Sequence, residues 1–127
     1  MTCKVAFIGA GYMAEEHIKA FTSIPQVSIT GIYSKTPEKA AQLAFKYNFS
    51  GRYYSSVAEL YEKSKADMVV IAVSELAVNK ICTEAFQFPW VCLIEKPVGY
   101  NYEDALNIAN TAALNSTSVF VALNRRM

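Results

Sequence analysis

Residues 4–14 read KVAFIGAGYMA, an apolar run followed directly by two glycines that are one residue apart. The segment Lys4–Ile8 is almost wholly apolar, which is typical of a parallel strand buried on both faces. After the glycines, small or apolar residues recur at the spacing of one helix face, at Ala14, Ile18 and Phe21. The stretch therefore predicts a strand, a tight turn and a helix in immediate succession.

The two glycines stand where such a turn would bind a dinucleotide. Gly9 allows the tight turn, Gly11 lets the backbone approach a pyrophosphate, and Ala14 is small enough for the helix to pack closely on the strand. The first N–H groups of the helix and the positive end of its dipole would face the anion. An incidental glycine-rich turn is the alternative. The predicted coenzyme contacts in this loop are Gly9, Ala10, Gly11, Tyr12, Met13 and Ala14.

Along the rest of the chain, short apolar runs alternate with stretches of helical period, which is typical of successive βαβ units. Right-handed crossovers between them favour a doubly wound parallel sheet. We therefore predict an α/β fold of the Rossmann type, with about six strands in a single domain spanning residues 1–127. The predicted strands are Lys4–Ile8, Val27–Tyr33, a weak Gly51–Tyr54, Met68–Val73, Trp90–Ile94 and Val119–Leu123.

The helices that follow have recognisable starts. The Thr36 hydroxyl is predicted to cap a helix whose first residue is a proline, and a capping box runs from Ser56 to Glu59. Asn101 is expected to cap the last helix. Three apolar stripes support these helices: Ala40, Leu43, Ala44 and Tyr47; Val78, Ile81, Cys82 and Ala85; and Ala105, Ile108, Ala109 and Ala112.

The 127 residues carry 12 lysines and arginines against 11 aspartates and glutamates, a formal net charge of +1. This balance provides no block of charge for binding nucleic acid or an anionic membrane surface. With 53% hydrophobic residues, the chain is too apolar to be disordered and long enough to bury a core. No run approaches the ~20 apolar residues that span a bilayer, so we expect a soluble protein.

The three cysteines, Cys3, Cys82 and Cys92, are odd in number and have no CxxC spacing, so neither a disulfide framework nor a zinc site is predicted. A cytoplasmic location fits this usage. The apolar start of the chain has the length of a short signal peptide, but glycines interrupt it and two glutamates follow directly. His17 is the only histidine. It rules out a multi-histidine metal site and is expected to be a surface or packing residue.

The end of the second predicted strand bears on the choice of coenzyme. An acidic residue is expected about 20 positions after the glycine loop when the ribose hydroxyls of NAD are bound. Here the sequence has Ser34, Lys35 and Thr36, two hydroxyls and a cation with no carboxylate to repel a 2′-phosphate. NADP is therefore the preferred coenzyme and NAD the alternative. In the other interpretation, the hydroxyls only cap the helix and Lys35 is solvated.

The fifth predicted strand ends in Ile94, Glu95, Lys96 and Pro97. Lys96 would leave the sheet at its carboxyl edge, on the side of the glycine loop, where an ammonium could orient a substrate hydroxyl or the nicotinamide carboxamide. The proline biases the residue before it towards extended backbone and fixes the exit of the chain. A solvated ion pair beside a turn is the alternative.

Taken in order, the segments GAGYMA, TGIYSKTPEKA, YSSVAEL, ADMVVIAV, IEKPVG and FVALNRRM make the whole chain resemble the N-terminal domain of the glucose-fructose oxidoreductase, inositol dehydrogenase and MocA family. The resemblance implies an NAD(P)-dependent oxidoreductase that transfers hydride to or from a sugar, polyol or related compound. It also implies that Lys96 matches the lysine that contacts nicotinamide and substrate, with Glu95 and Pro97 completing its motif.

The chain departs from the family's pattern after the fourth strand. The family often has a Pro-Asn pair there and a histidine shortly beyond, whereas this sequence has Ser74, Glu75 and Val78. Val73, Ser74 and Glu75 are expected to border the nicotinamide ribose, and the two polar residues can hydrogen-bond.

The resemblance also implies a second domain, with further catalytic residues and a sheet used in dimerisation, after a segment like Asn124-Arg125-Arg126. The 127 residues are therefore expected to be the coenzyme-binding part of a homo-oligomeric enzyme. Alone they are expected to show no turnover and to be compatible with a monomer. The alternative is a non-catalytic module that senses dinucleotide or sugar.

Overall fold

In the computed structural model, residues 2–49, 52–96 and 98–122 are described. They form one six-stranded sheet, all parallel, in the order β3-β2-β1-β4-β5-β6. The predicted α/β fold, doubly wound and of the Rossmann type, is confirmed. The elements are β1 (Cys3–Ile8), α1 (Tyr12–Thr22), β2 (Val27–Tyr33), α2 (Pro37–Lys46), β3 (Arg52–Tyr54), α3 (Val57–Ser64), β4 (Met68–Ile71), α4 (Val78–Ala85), β5 (Val91–Glu95), α5 (Tyr102–Leu114) and β6 (Val119–Ala122).

The sheet buries both of its faces, which explains the near-continuous apolar runs of its central strands. One face packs against α1 and α2, and the other against α3, α4 and α5. Alternate residues of β1 supply the two faces: Val5 and Phe7 belong to the core under α1 and α2, and Ala6 and Ile8 belong to the core under α3, α4 and α5. The strand order reverses beside β1, so the loops after β1 and β4 diverge and leave a crevice between them.

Four strand ends among the described residues differ from prediction. β1 begins one residue earlier, at Cys3, and β5 ends one residue later, at Glu95. The other two are the end of β4 and the start of β5. β4 ends at Ile71 and does not reach Val73, because β1, its neighbour, ends at Ile8 and the last bond between them runs from the Ala72 N–H to the Ile8 oxygen. β5 begins one residue after Trp90. The indole of Trp90 is buried, donates from Nε1 to the Ala85 oxygen at 2.8 Å and packs on two other aromatic rings. Gly51 and Leu123, predicted strand ends, lie outside the described residues.

The helix caps are partly as predicted. Ser56 Oγ accepts from the Glu59 N–H at 3.0 Å, and the Asn101 side chain caps α5 in the same way. Thr36 is the N-cap residue of α2, but the prediction that its hydroxyl caps the helix is wrong. Ser34 Oγ instead accepts the N–H of Thr36 itself, which holds the loop before the helix begins.

One stripe residue differs from prediction, whereas Tyr47 packs on the core with its predicted stripe although it lies just past the helix. Ala109 is exposed. Only a narrow face of α5 packs on the core, with Ile108 buried and Ala105 and Ala112 half-buried. Tyr47 follows the end of α2 as its C-cap residue and donates from its hydroxyl to Glu15 Oε2 at 2.7 Å. It therefore fastens the end of α2 to the first turn of α1. Among the described residues, no helix is both long and apolar enough to cross a membrane.

Candidate functional site

A cleft of about 290 Å³ opens at the carboxyl ends of β1, β2 and β4. This is the crevice where ligands bind in open α/β sheets. Eight of the predicted coenzyme contacts line it: Gly9, Ala10, Gly11, Ser34, Lys35, Thr36, Val73 and Ser74. Six further residues that were not predicted complete the wall: Ile8, Tyr33, Lys39, Ala72, Ala77 and Ile81.

The turn after β1 requires its first glycine. Gly9 has φ +112°, and a β-carbon on it would lie 2.0 Å from the backbone oxygen of Ala72. Its N–H donates to the Tyr33 oxygen at 2.8 Å. Gly11 is different, because its backbone is extended and a β-carbon there would meet nothing within 4 Å. The first glycine therefore shapes the turn, whereas the second keeps one side of it open.

The amino end of α1 is exposed to this opening. Its N-cap residue, Gly11, makes no side-chain capping bond, and the first backbone bond of the helix runs from the Glu15 N–H to the Gly11 oxygen. The positive end of the helix dipole and the N–H groups of the first turn are thus available to an anion. Ala14 is fully buried beneath them, as expected of the small residue that brings helix and strand together. Tyr12 is 75% exposed, and none of the predicted contacts Tyr12, Met13 and Ala14 is part of the cleft lining.

Two cations lie at the end of β2. Lys35 and Lys39 are both exposed, and both line the cleft together with Ser34 and Thr36. No carboxylate is among the lining residues in the described part of the chain. Lys39 was missed from the sequence, although its position three residues after Thr36 places it on the same side of the first turn of α2. This end of the cleft therefore has the charge and the hydroxyl groups to hold a second anion.

The opposite wall follows β4. Val73 and Ser74 line the cleft, but Glu75, predicted to border the ribose, is exposed and is not part of its lining. The backbone oxygen of Ser74 accepts from the Ala77 N–H at 2.9 Å, and this bond turns the chain into α4. Ala77 has no capping side chain, so a second uncapped helix start borders the cleft.

The predicted catalytic turn lies at the same edge of the sheet, beside β4. Glu95 is the last residue of β5 and is buried, whereas Lys96, next in the chain, is exposed and does not line the cleft. Pro97, the third residue of the motif, lies outside the described residues. The ion pairs found in the described part of the chain do not include Lys96, so the alternative of a Glu95–Lys96 pair finds no support there.

Glu95 instead contacts His17. The histidine Nε2 lies 2.5 Å from Glu95 Oε1, and the two side chains are only 20% and 8% exposed. Sequence reasoning treated His17 as a surface or packing residue and missed this contact. The available signal was the glutamate itself, because a carboxylate at the end of a buried strand needs a polar partner. The described residues contain no cluster of three or more metal-ligating side chains.

The comparisons with known proteins agree with this geometry. Residues 3–123 match the family model of the glucose-fructose oxidoreductase, inositol dehydrogenase and MocA proteins, described as an oxidoreductase family with an NAD-binding Rossmann fold. The chain belongs to this family. The match spans all six strands and all five helices described above.

Among its relatives, the glucose-6-phosphate 3-dehydrogenase of Bacillus subtilis is 26% identical over 97% of this chain and 34% of that protein. A myo-inositol dehydrogenase from Lactobacillus casei, solved with NAD(H) and myo-inositol, superposes with a TM-score of 0.88 at 21% identity, over 96% of this chain and 37% of that one. A putative NADPH-dependent oxidoreductase from Desulfitobacterium hafniense gives 0.87 at 20% identity, over 95% and 34%. The chain thus spans about a third of each relative's length.

Proposed function

We propose that this domain binds a nicotinamide dinucleotide in the cleft between β1, β2 and β4. The observation that carries the proposal is the glycine loop: a turn that only glycine can make at position 9 leads to an uncapped helix start, with open space at Gly11. A pyrophosphate fits there, because it needs N–H donors, a positive dipole and a close approach to the backbone. The adenosine would extend towards Ser34 and the nicotinamide towards Lys96.

The adenosine end favours NADP over NAD. Lys35 and Lys39 provide two positive charges at the cleft, and Ser34 and Thr36 provide hydroxyls. A carboxylate that would accept from the ribose hydroxyls of NAD is not among the lining residues in the described part of the chain. Both lysines are point charges on flexible side chains, so they would favour the 2′-phosphate mainly through charge. A solved relative named for NADPH fits this preference, whereas another contains NAD(H).

We further propose that the domain serves an oxidoreductase acting on a sugar or polyol. The relatives named above include enzymes of glucose-6-phosphate and of myo-inositol. Bound in the cleft, the nicotinamide would accept or supply the hydride. Lys96 is the proposed catalytic residue: its exposed ammonium is free to donate a hydrogen bond to the substrate oxygen, polarise it and exchange a proton with it. Pro97 is proposed to fix the direction in which the lysine leaves the strand.

Isothermal calorimetry on this chain tests the coenzyme proposal. We expect NADP⁺ and NAD⁺ both to bind, with NADP⁺ the tighter of the two. The 2′-phosphate should account for the difference, so the preference should shrink as salt is added. Tighter binding of NAD⁺ would refute the proposed preference, and no binding of either coenzyme would refute the proposed function.

The catalytic proposal needs the substrate-binding part of a family enzyme. Where this domain is joined to a second domain of the family's kind, Lys96→Ala should abolish turnover while coenzyme affinity changes little. Lys80→Ala, an exposed lysine on α4 outside the cleft, is the matched control and should leave turnover unchanged. Turnover retained in the Lys96 variant would contradict the assignment.

A further inference from the structure

The contact between His17 and Glu95 joins two parts of the molecule that are 78 residues apart in sequence. His17 lies in the second turn of α1, the helix that begins at the glycine loop. Glu95 ends β5 and directly precedes Lys96. A single hydrogen bond therefore links the helix proposed to bind the pyrophosphate to the strand end that carries the proposed catalytic lysine.

The bond constrains the strand end because Glu95 is buried. A carboxylate removed from water is stable only when donors satisfy it, and the donor found for it among the described residues is the His17 ring. An ionised carboxylate can only accept, so with Glu95 ionised the donor is His17 Nε2. Lys96 is the first residue after β5 and is bonded directly to Glu95, so holding the Glu95 side chain restricts the backbone from which Lys96 leaves the sheet.

The chain beyond Lys96 has a separate anchor. Tyr100 donates its N–H to Asp104 Oδ2 at 3.1 Å, and Asn79 Nδ2 donates to the other oxygen of that carboxylate. These bonds come from α4 and α5, on the face of the sheet opposite to α1. The entry to the turn is therefore held by the sheet pairing of Glu95 with Ala122 and by the side-chain contact with His17, and Asp104 holds its exit.

We propose that His17 is a positioning residue for Lys96, which it holds through the Glu95 carboxylate. This inference rests on the proposed function, in which the coenzyme binds at the amino end of α1 and its nicotinamide reaches Lys96. Without the histidine, the buried carboxylate would turn to water or to the neighbouring ammonium, and Lys96 would lose its fixed direction. Packing alone does not need the histidine, because Ala14 and Ile18 already anchor α1 in the core.

The first test uses backbone amide NMR on the coenzyme-free chain, so its result does not depend on the proposed function. His17→Leu removes the donor, and His17→Gln restores one on a side chain of similar reach. We expect the amide of Lys96 to shift and to exchange faster with solvent in the leucine variant, and to return towards the parent position in the glutamine variant. Ile18→Val, which loosens α1 without touching Glu95, is the matched control and should leave this amide unchanged.

The second test compares NADP⁺ with 2′-phospho-ADP-ribose, a ligand that lacks only the nicotinamide. Because removal of Lys96 itself is expected to change coenzyme affinity little, a positioning role predicts that His17→Leu binds NADP⁺ within about threefold of the parent. The fragment should bind the parent and the variant equally. A merely structural role would weaken both ligands alike, and so would a general loosening of the glycine loop.

The outcomes separate the two proposals. An unshifted Lys96 amide in His17→Leu, or equal weakening of both ligands, would overturn the positioning role. If the parent chain binds neither ligand, the proposed function fails, and the amide result still decides whether His17 holds Lys96. Should the leucine variant not fold, His17→Ala makes the same test, because it removes the donor without adding bulk.

Discussion

Gly9 lies against the backbone of Ala72, whose carbonyl oxygen would be only 2.0 Å from a β-carbon at position 9. The contact joins the turn after β1 to the residue after β4, two of the three strand ends that border the cleft. The turn is thus fixed by the absence of a side chain at this position. The nearest atoms belong to backbone, which cannot rotate out of the way.

Gly9→Ala should therefore prevent folding or lower the free energy of unfolding by about 3 kcal/mol or more, from the strained φ and the overpacking together. Chemical denaturation followed by circular dichroism measures the loss. A variant as stable as the parent would show that the β1 turn can relax.

Gly11→Ala is the matched comparison, because a methyl group there meets open space in an extended backbone. We expect its free energy of unfolding to stay within about 1 kcal/mol of the parent, since only the helix-cap preference changes. Coenzyme affinity should fall sharply, because the methyl group occupies the approach of the pyrophosphate. If calorimetry shows an unchanged coenzyme affinity, the proposed role of Gly11 in admitting the pyrophosphate is contradicted.

The two lysines at the end of β2 should determine the coenzyme preference. Lys35→Ala and Lys39→Ala should each weaken NADP⁺ binding by about tenfold, the loss of one charge-assisted hydrogen bond, and should leave NAD⁺ binding nearly unchanged. Titrations of both coenzymes measure the ratio. Lys63→Ala, an exposed lysine on α3, is the control and should not alter it. Equal loss of both coenzymes would contradict a 2′-phosphate role.

The helix caps provide a paired stability test. Ser56→Ala removes the hydroxyl that accepts from Glu59, and should lower the free energy of unfolding by about 1 kcal/mol. Thr36→Ala should change it much less, because the Thr36 hydroxyl makes no capping bond. Denaturant titration of both variants decides the matter. Similar losses at the two positions would show that Thr36 does cap α2.

Alkaline pH should destabilise the fold through two buried thiols. Burial raises the pKa of Cys82 and of Cys92 from 9.0 to about 12. Between those values the unfolded chain loses thiol protons that the folded chain keeps, so stability falls as pH rises. The slope should approach about 1.4 kcal/mol per pH unit for each thiol.

Denaturant titrations between pH 8 and about pH 11 measure this slope, because that range includes most of the interval between the ordinary thiol pKa of 9.0 and the raised value of about 12. Cys82→Ala should reduce it, whereas Cys3→Ala, which changes an exposed thiol, should not. The same burial predicts that only Cys3 reacts rapidly with maleimide in the folded chain. An unchanged slope in Cys82→Ala would contradict the raised pKa of Cys82.

The fold could be predicted because its signals are local. Val27–Tyr33 was predicted with the bounds that the structure shows, since a strand covered on both faces is a continuous apolar run between turn residues. Caps were less secure, because a hydroxyl at the N-cap position does not ensure a capping bond. The Lys39 N–H donates to the backbone oxygen of Thr36, and the Thr36 N–H donates to Ser34 Oγ. The exposure of Ala109 depends on which part of the sheet packs against α5, and the apolar spacing within α5 does not indicate this.

The candidate site was predictable to the same extent. Its glycine loop follows from one contiguous segment, and the cation at position 35 from its distance to that loop. To predict that Lys39 lines the cleft, one would need to know which face of α2 points towards it. To predict the contact between His17 and Glu95, one would need to know that α1 packs beside β5. The two residues are 78 positions apart, and no local sequence pattern indicates such a pair. Glu75 was expected at the cleft from its place after β4, but the chain turns away at Ser74.

The single tryptophan offers a practical advantage for these measurements. Trp90 is 2% exposed and precedes β5, at the end of the sheet opposite to the cleft. Its fluorescence emission should therefore change when the protein unfolds. It should stay constant when an oxidised coenzyme, which does not absorb at the emission wavelengths of tryptophan, binds in the cleft. Unfolding and ligand uptake can then be recorded as independent optical and calorimetric signals from one sample, with no fluorophore added.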